Sequence, residues 1–274
     1  MTGYLKQTLR QIFEQIPVQV FSDIPDVYIS GISIDSRQTR NGDLFVALEG
    51  GSVDGHQYIA AVERMGAAAV VGMKPKPEGV TLPYIQVENT RPALAWLSAA
   101  FYRFPARHLT MIGVTGTDGK TTTSNIIYQI LLAAGIRAGI ISTVNAVIGD
   151  EILDTGFHVT TPEAPEVQLY LARMVAAGLT HVVLETTSHG WAQDRVTACD
   201  FDYGVVTNIT HEHLDYHGSY ENYRAAKGRL FSGLAESHPK EGMGNRAAIL
   251  NQDDSSYDYL NPITQVEKIT YGLN

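Results

Sequence analysis

The chain has 274 residues, with 20 Lys and Arg against 29 Asp and Glu, and a formal net charge of −9. Its 44 % hydrophobic and 18 % charged residues exclude a disordered chain, and one cysteine, Cys199, excludes an internal disulfide and fits a reducing cytoplasm. An acidic chain without a basic run argues against nucleic acid, and no apolar stretch reaches the roughly 18–20 residues that span a bilayer.

The length suggests two domains, and the pattern of elements divides in the same way. Gly31–Asp35, Asp43–Leu48 and Ala67–Val71 are short apolar runs broken by turn residues. A helix over Gln57–Met65 lies between the last two and closes at Gly66, a left-handed cap. Lys74-Pro75-Lys76-Pro77-Glu78-Gly79 is a loop on composition, and Pro92–Tyr102 reads as a helix with proline in its first turn. Phe104–Arg107 marks a boundary, giving domains of residues 1–106 and 107–274.

From His108 strands and helices alternate regularly. Leu109–Val114 is a continuous apolar strand of the kind buried on both faces in a parallel sheet. Helix Thr121–Ala134, strand Ala138–Thr143, helix Pro165–Ala177, strand His181–Glu185, strand Phe201–Asn208, helix Tyr220–Phe231 and strand Ala247–Asn251 follow. This rhythm predicts a doubly wound α/β domain.

Between the first of these strands and its helix lies Gly113-Val114-Thr115-Gly116-Thr117-Asp118-Gly119-Lys120-Thr121-Thr122. Glycines let a backbone turn its N–H groups toward phosphate oxygens, and the helix N-terminus adds partial positive charge. Lys120 is placed to reach the β/γ-phosphates and the Thr121 hydroxyl to meet Mg²⁺. The match to the usual phosphate-loop pattern is inexact, because Val114 stands at its first glycine. Glu185 ends an apolar strand, where such sheets bind ligands, and is a candidate Mg²⁺ ligand. Five of the nine histidines fall between His181 and His217. His211, His213 and His217 with Asp215 fit a transition-metal site, a hydrogen-bonded loop, or one histidine on Mg²⁺. In Tyr220–Phe231, Tyr223, Ala226 and Leu230 form the apolar stripe of an amphipathic helix, and spacing alone leaves Lys227 a solvated lysine.

GVTGTDGKTTT, the Glu185-Thr186-Thr187-Ser188-His189-Gly190 stretch with Gln193 and Arg195, and the Thr207–Phe231 segment together resemble the Mur ligases of peptidoglycan synthesis. Ser33–Arg37, Gly42–Leu48 and Asp54-Gly55-His56 resemble that family's UDP-binding domain, so the likeness covers nearly the whole chain. It implies a small α/β UDP-binding domain followed by a central ATP-binding domain. Within the family it is nearest to the branch that extends UDP-MurNAc-L-Ala-D-Glu by an amino acid, through an acyl phosphate.

The resemblance also implies residue roles. Ser36 and the Gly51-Ser52-Val53 turn match uridine contacts; Thr160, Thr161, Thr187, Gln193 and Arg195 match contacts to the muramoyl-peptide. Gly116, Thr117, Asp118, Gly119, Lys120, Thr121 and Thr122 match the ATP loop. Thr121, Glu185, His213 and a carbamylated Lys227 match the Mg²⁺ ligands, so that Lys120, Glu185, His213 and Lys227 carry the chemistry. Asp118 stands where asparagine is common, Thr187 where serine is usual, and Val159 where a polar residue is frequent. A cytoplasmic monomer is implied. The family has three domains and this chain has room for two, so the expectation is a shortened ligase with little turnover alone. A folylpolyglutamate synthetase-like ligase shares the phosphate loop but lacks a UDP-domain-like first third. A non-catalytic nucleotide or UDP-sugar-binding module and a zinc hydrolase are the alternatives from other classes.

Overall fold

The computed structural model describes residues 7–50, 53–154, 161–242 and 244–273. It divides into two compact units, Met1–Arg103 and Phe104–Asn274. Gly51, Ser52 and Thr160 lie outside the described residues.

The first unit is built on a parallel sheet of β1 (Gly31–Ser33), β2 (Asp43–Val46), β3 (Ala69–Gly72) and β4 (Tyr84–Gln86), in that order. All four residues of β2 and of β3 are buried, as expected of uninterrupted apolar runs in a parallel sheet. Helix α1 (Leu9–Phe13) starts at a capping box in which Thr8 and Gln11 satisfy each other's backbone N–H groups. Helices α2 (Ile59–Arg64) and α3 (Thr90–Phe101) follow; Phe45, Ile59, Val62, Val70 and Tyr84 share one core.

The second unit holds β5 (Thr110–Thr115), α4 (Lys120–Ala133), β6 (Ala138–Ile141), β7 (Asn145–Ile148), β8 (Glu151–Asp154), α5 (Ala164–Ala176) and β9 (His181–Glu185). After these come α6 (Ser188–Ala192), β10 (Tyr203–Val206), α7 (Leu214–His217), α8 (Tyr220–Gly233), β11 (Ala247–Asn251), α9 (Tyr257–Ile263) and β12 (Glu267–Tyr271). The eight strands run in the order β12-β11-β10-β5-β9-β6-β7-β8. The first six are parallel, and β7 and β8 close that edge as an antiparallel hairpin. The hairpin departs from the strand–helix alternation expected of this stretch, because the Gly149-Asp150 turn brings two short strands back on each other.

One face of this sheet packs Leu184, Val206, Tyr223, Leu230 and Phe231 together; the other packs Tyr128 of α4 against Ile112, Val114, Ile140 and Val183. Burying each of these large side chains contributes about 1.5–3 kcal/mol, so the core and not the charge balance holds the unit together. β5 lies between β9 and β10, so the loops after these three strands open at one end of the sheet. That is where doubly wound sheets form a ligand crevice. Among the described residues no helix is long and apolar enough to cross a membrane.

Candidate functional site

The loop from Gly116 to Gly119 joins β5 to α4. Gly119 precedes the helix at φ +76°, and Gly116 has φ +152°. A Cβ on Gly116 would come within 1.9 Å of the Thr207 hydroxyl and 3.1 Å of the Asn208 carbonyl, so this glycine is required by the approach of a neighbouring loop. That neighbour straps the phosphate loop. Thr117 N donates to the Asn208 carbonyl at 2.7 Å and Asp118 N to its side-chain oxygen at 3.0 Å, while the Thr207 hydroxyl donates to the Asp118 carbonyl at 2.6 Å. Two of the loop's amides are therefore already bonded, while the N–H groups of the first helical turn lack a helical partner and remain suited to an anion. Lys120 folds over the loop, its ammonium 2.6 Å from the Thr117 carbonyl.

Glu185 ends β9 with no exposed surface. It accepts from the Thr121 hydroxyl at 3.0 Å, the Thr143 hydroxyl at 3.0 Å and the Thr143 N–H at 3.1 Å. A buried carboxylate held by neutral donors alone is costly unless a cation joins it, and an all-oxygen set of carboxylate and threonine hydroxyls suits a hard divalent ion. The residues present therefore fit Mg²⁺.

The reading of Lys227 as a solvated lysine is overturned, because its side chain is only 2 % exposed. Its Nζ donates to the Gly116 carbonyl at 2.5 Å and lies 4.7 Å from the centre of the Tyr223 ring. Burial, reinforced by the Lys120 ammonium, pulls its pKa from 10.5 down to about 7. Tyr223, read from the sequence as one member of an apolar stripe, also makes polar contacts: its hydroxyl lies 3.0 Å from the Thr117 hydroxyl and donates to Glu212 at 3.2 Å. Asn208, Glu212 and Thr143 join the site without having been singled out. The sequence carries no pattern for them, since they act through a loop and two strand ends.

His213 meets this group at Glu212 and at Tyr223, whose ring centre is 6.3 Å from its own. It adopts φ +53° ahead of α7, is largely exposed, and lies 3.6 Å from Glu212. Among the described residues no hydrogen bond or ion pair joins it to Thr121, Glu185 or Lys227. Its ring lies 4.8 Å from His189, whose centre is 5.3 Å from His217. Burial, then the charge of His213, holds His189 below the usual imidazole range. Among the described residues no three His, Cys, Asp or Glu side chains converge to hold a metal, which leaves the zinc reading without a donor set.

Thr161, Thr187, Gln193 and Arg195, four of the residues expected to contact the peptide, form one cluster. The Thr161 and Thr187 hydroxyls are 3.1 Å apart, and Thr187 caps α6 by accepting from Gly190 N–H. Arg195 donates to the Thr161 carbonyl and to the Gln193 side chain, each at 2.7 Å, and pairs with Glu163 at 2.8 Å. Thr122 sits on the exposed side of α4. In the first unit Ser36 lies half-buried in a turn where the Asp35 carboxylate accepts from Arg37, and Val53 is exposed and accepts from Gly50 N–H.

The model of the Mur ligase middle domain matches residues 114–274, and that of the Mur ligase family catalytic domain matches residues 28–102. The chain belongs to the Mur ligase family. A UDP-N-acetylmuramoyl-L-alanyl-D-glutamate–2,6-diaminopimelate ligase of Bacillus licheniformis is 39 % identical over 260 residues, 95 % of this chain and 52 % of its own. A UDP-N-acetylmuramyl-tripeptide synthetase of a Roseiflexus species is 42 % identical over 253 residues, 90 % of this chain and 50 % of its own. A solved structure of a UDP-N-acetylmuramoyl-L-alanyl-D-glutamate–2,6-diaminopimelate ligase superposes with a TM-score of 0.79 at 26 % identity, over 98 % of this Mur ligase chain and 53 % of the other. The chain spans about half the length of the curated relatives it matches.

Proposed function

We propose that this Mur ligase chain is the substrate- and nucleotide-binding part of a cytoplasmic, ATP-dependent ligase that adds an amino acid to UDP-MurNAc-L-Ala-D-Glu. The observation that carries this reading is the meeting at one end of the sheet of Lys120 and Thr121, the buried Glu185 and the buried Lys227. In this reading the first unit takes the uridine end through Ser36 and the turn that includes Val53. The second takes ATP along Gly116–Thr122 and the peptide through Thr160, Thr161, Thr187, Gln193 and Arg195.

The γ-phosphate passes to a substrate carboxylate, and the resulting acyl phosphate is attacked by the incoming amine with release of phosphate. Two anions must meet, so positive charge is the main requirement. Lys120 supplies one charge on the phosphate side, and Arg195 is suited to a carboxylate of the D-glutamyl residue. Thr121, Glu185, His213 and Lys227 would hold Mg²⁺, which when bound neutralises phosphate charge. For Lys227 this needs a carbamate: its neutral amine adds to CO₂ and loses one proton, turning a cation into an anionic oxygen ligand. A lysine with a pKa of about 7 has the neutral amine available at cellular pH.

Binding is the activity expected of these 274 residues, and turnover is expected only together with the half of the relatives' length that they do not match. Calorimetric titration of UDP-MurNAc-L-Ala-D-Glu should show binding to the wild type and a loss of at least tenfold in Arg195→Ala. ATP with Mg²⁺ should bind the wild type and fail with Lys120→Ala. Absence of binding to the wild type by the UDP substrate would sink the substrate assignment and leave a plain nucleotide-binding module.

A further inference from the structure

The Arg195 guanidinium is held from three directions and is only 10 % exposed. Nη1 donates to the Thr161 carbonyl, while Nη2 donates to Gln193 Oε1 and pairs with Glu163 Oε1. Gln193 is itself fixed, since its amide donates to the Tyr216 hydroxyl at 3.0 Å. Glu163 is the residue immediately before α5, in extended backbone, so its position is set by the start of that helix. The three acceptors thus come from the turn ahead of α5, from α5's own cap position and from the end of α6. Glu163 supplies the negative charge among them.

We propose that Glu163 is a positioning residue, whose carboxylate pins the Arg195 guanidinium in one plane so that it meets a carboxylate of an acidic peptide substrate without first being ordered. The proposal rests on the assignment of Arg195 to the substrate and deepens it. Fixing an arginine side chain before binding raises affinity by removing the cost of its rotamer entropy at the moment of association. Glu166, one turn along, is pushed above the usual carboxylate range by burial and then by the Glu163 charge, with Arg195 acting in the opposite sense. Glu163 and Arg195 therefore act as a charge-balanced pair facing a second acid.

The test is calorimetry on the whole chain with two probes, UDP-MurNAc-L-Ala-D-Glu and UDP alone. Glu163→Ala is expected to weaken the dipeptide substrate about tenfold and leave UDP unchanged, with an unaltered thermal unfolding profile reporting that the second unit, which carries the change, is folded. Glu163→Gln keeps an acceptor for Nη2 and should stay within about threefold of the wild type. In an Arg195→Ala background the Glu163→Ala change should cost nothing further, because it acts through the missing guanidinium. Equal or tighter substrate binding by Glu163→Ala, or an additive loss in the double variant, overturns the proposal. A wild type that binds UDP and the dipeptide substrate equally would instead overturn the assignment of Arg195 beneath it.

Discussion

Replacing Lys227 by methionine isolates the electrostatic cost of a buried cation. The ammonium lies beneath Tyr223 with the Gly116 carbonyl as its acceptor and, among the described residues, no carboxylate within ion-pair distance. Its pKa falls from 10.5 to about 7, mainly through burial. Below pH 7 the folded and unfolded chains both carry the proton, and the full cost of the buried charge is present. Between pH 7 and 10.5 only the unfolded chain carries it, so each pH unit adds up to about 1.4 kcal/mol to wild-type stability. From pH 7 to pH 9 the wild type should therefore gain on the order of 2 kcal/mol relative to Lys227→Met, whose side chain does not titrate. Urea unfolding of both proteins at several pH values, in CO₂-free buffer, measures this difference, and other titrating groups cancel. Parallel profiles would refute the argument that the native lysine sheds its proton near neutrality.

Gly116→Ala should cost about 1–3 kcal/mol and abolish ATP binding, because its Cβ meets Thr207 and Asn208 at a left-handed φ; thermal unfolding and calorimetry check both. Lys240 and Asp202 form a buried pair at 2.5 Å, with the lysine also donating to the carbonyls of Leu109 and Asp200. Burial pushes the Asp202 pKa up and the Lys240 pKa down, so Lys240→Met, which leaves the buried carboxylate with the Met111 N–H at 2.8 Å and Arg246 at 4.0 Å, should lose about 3 kcal/mol. Adding Asp202→Asn should restore part of that loss in denaturant titrations. Hydrogen bonds from Arg37 hold Asp35 at about 2 against 3.8 for the free group, so its contribution is complete above pH 3.8 and disappears as the pH falls through 2. In Arg37→Ala the Asp35 carboxyl resonance should titrate above 2 but short of 3.8, because the backbone N–H of residue 37 still donates to it, and a midpoint still near 2 would refute the assignment of the larger part of the shift to the guanidinium.

The parts of the fold legible in the sequence are those with one dominant local signal. The apolar run into Gly116 and Gly119 announces β5, its turn and α4, because a buried parallel strand and a glycine-requiring loop leave few alternatives. The β7–β8 hairpin has its Gly149-Asp150 turn in plain sight, but strands of only four residues are too short to stand out. Tyr84–Gln86 is shorter still. Within the site, the residue types of the phosphate loop and Glu185 are readable because their chemistry is local. Burial of Lys227 is not, because it depends on α8 lying against Gly116, a contact 111 residues away along the chain. Glu163 escapes notice for a similar reason, since a glutamate before a helix is ordinary until Arg195 is seen beside it.

The strap between Asn208 and the phosphate loop has a kinetic consequence. The Thr117 and Asp118 amides already face oxygens of Asn208. A phosphate that used them would have to displace that residue, so its arrival would be limited by an internal exchange and not by diffusion. The observed association rate would then level off as nucleotide concentration rises, at a plateau set by the loop following β10.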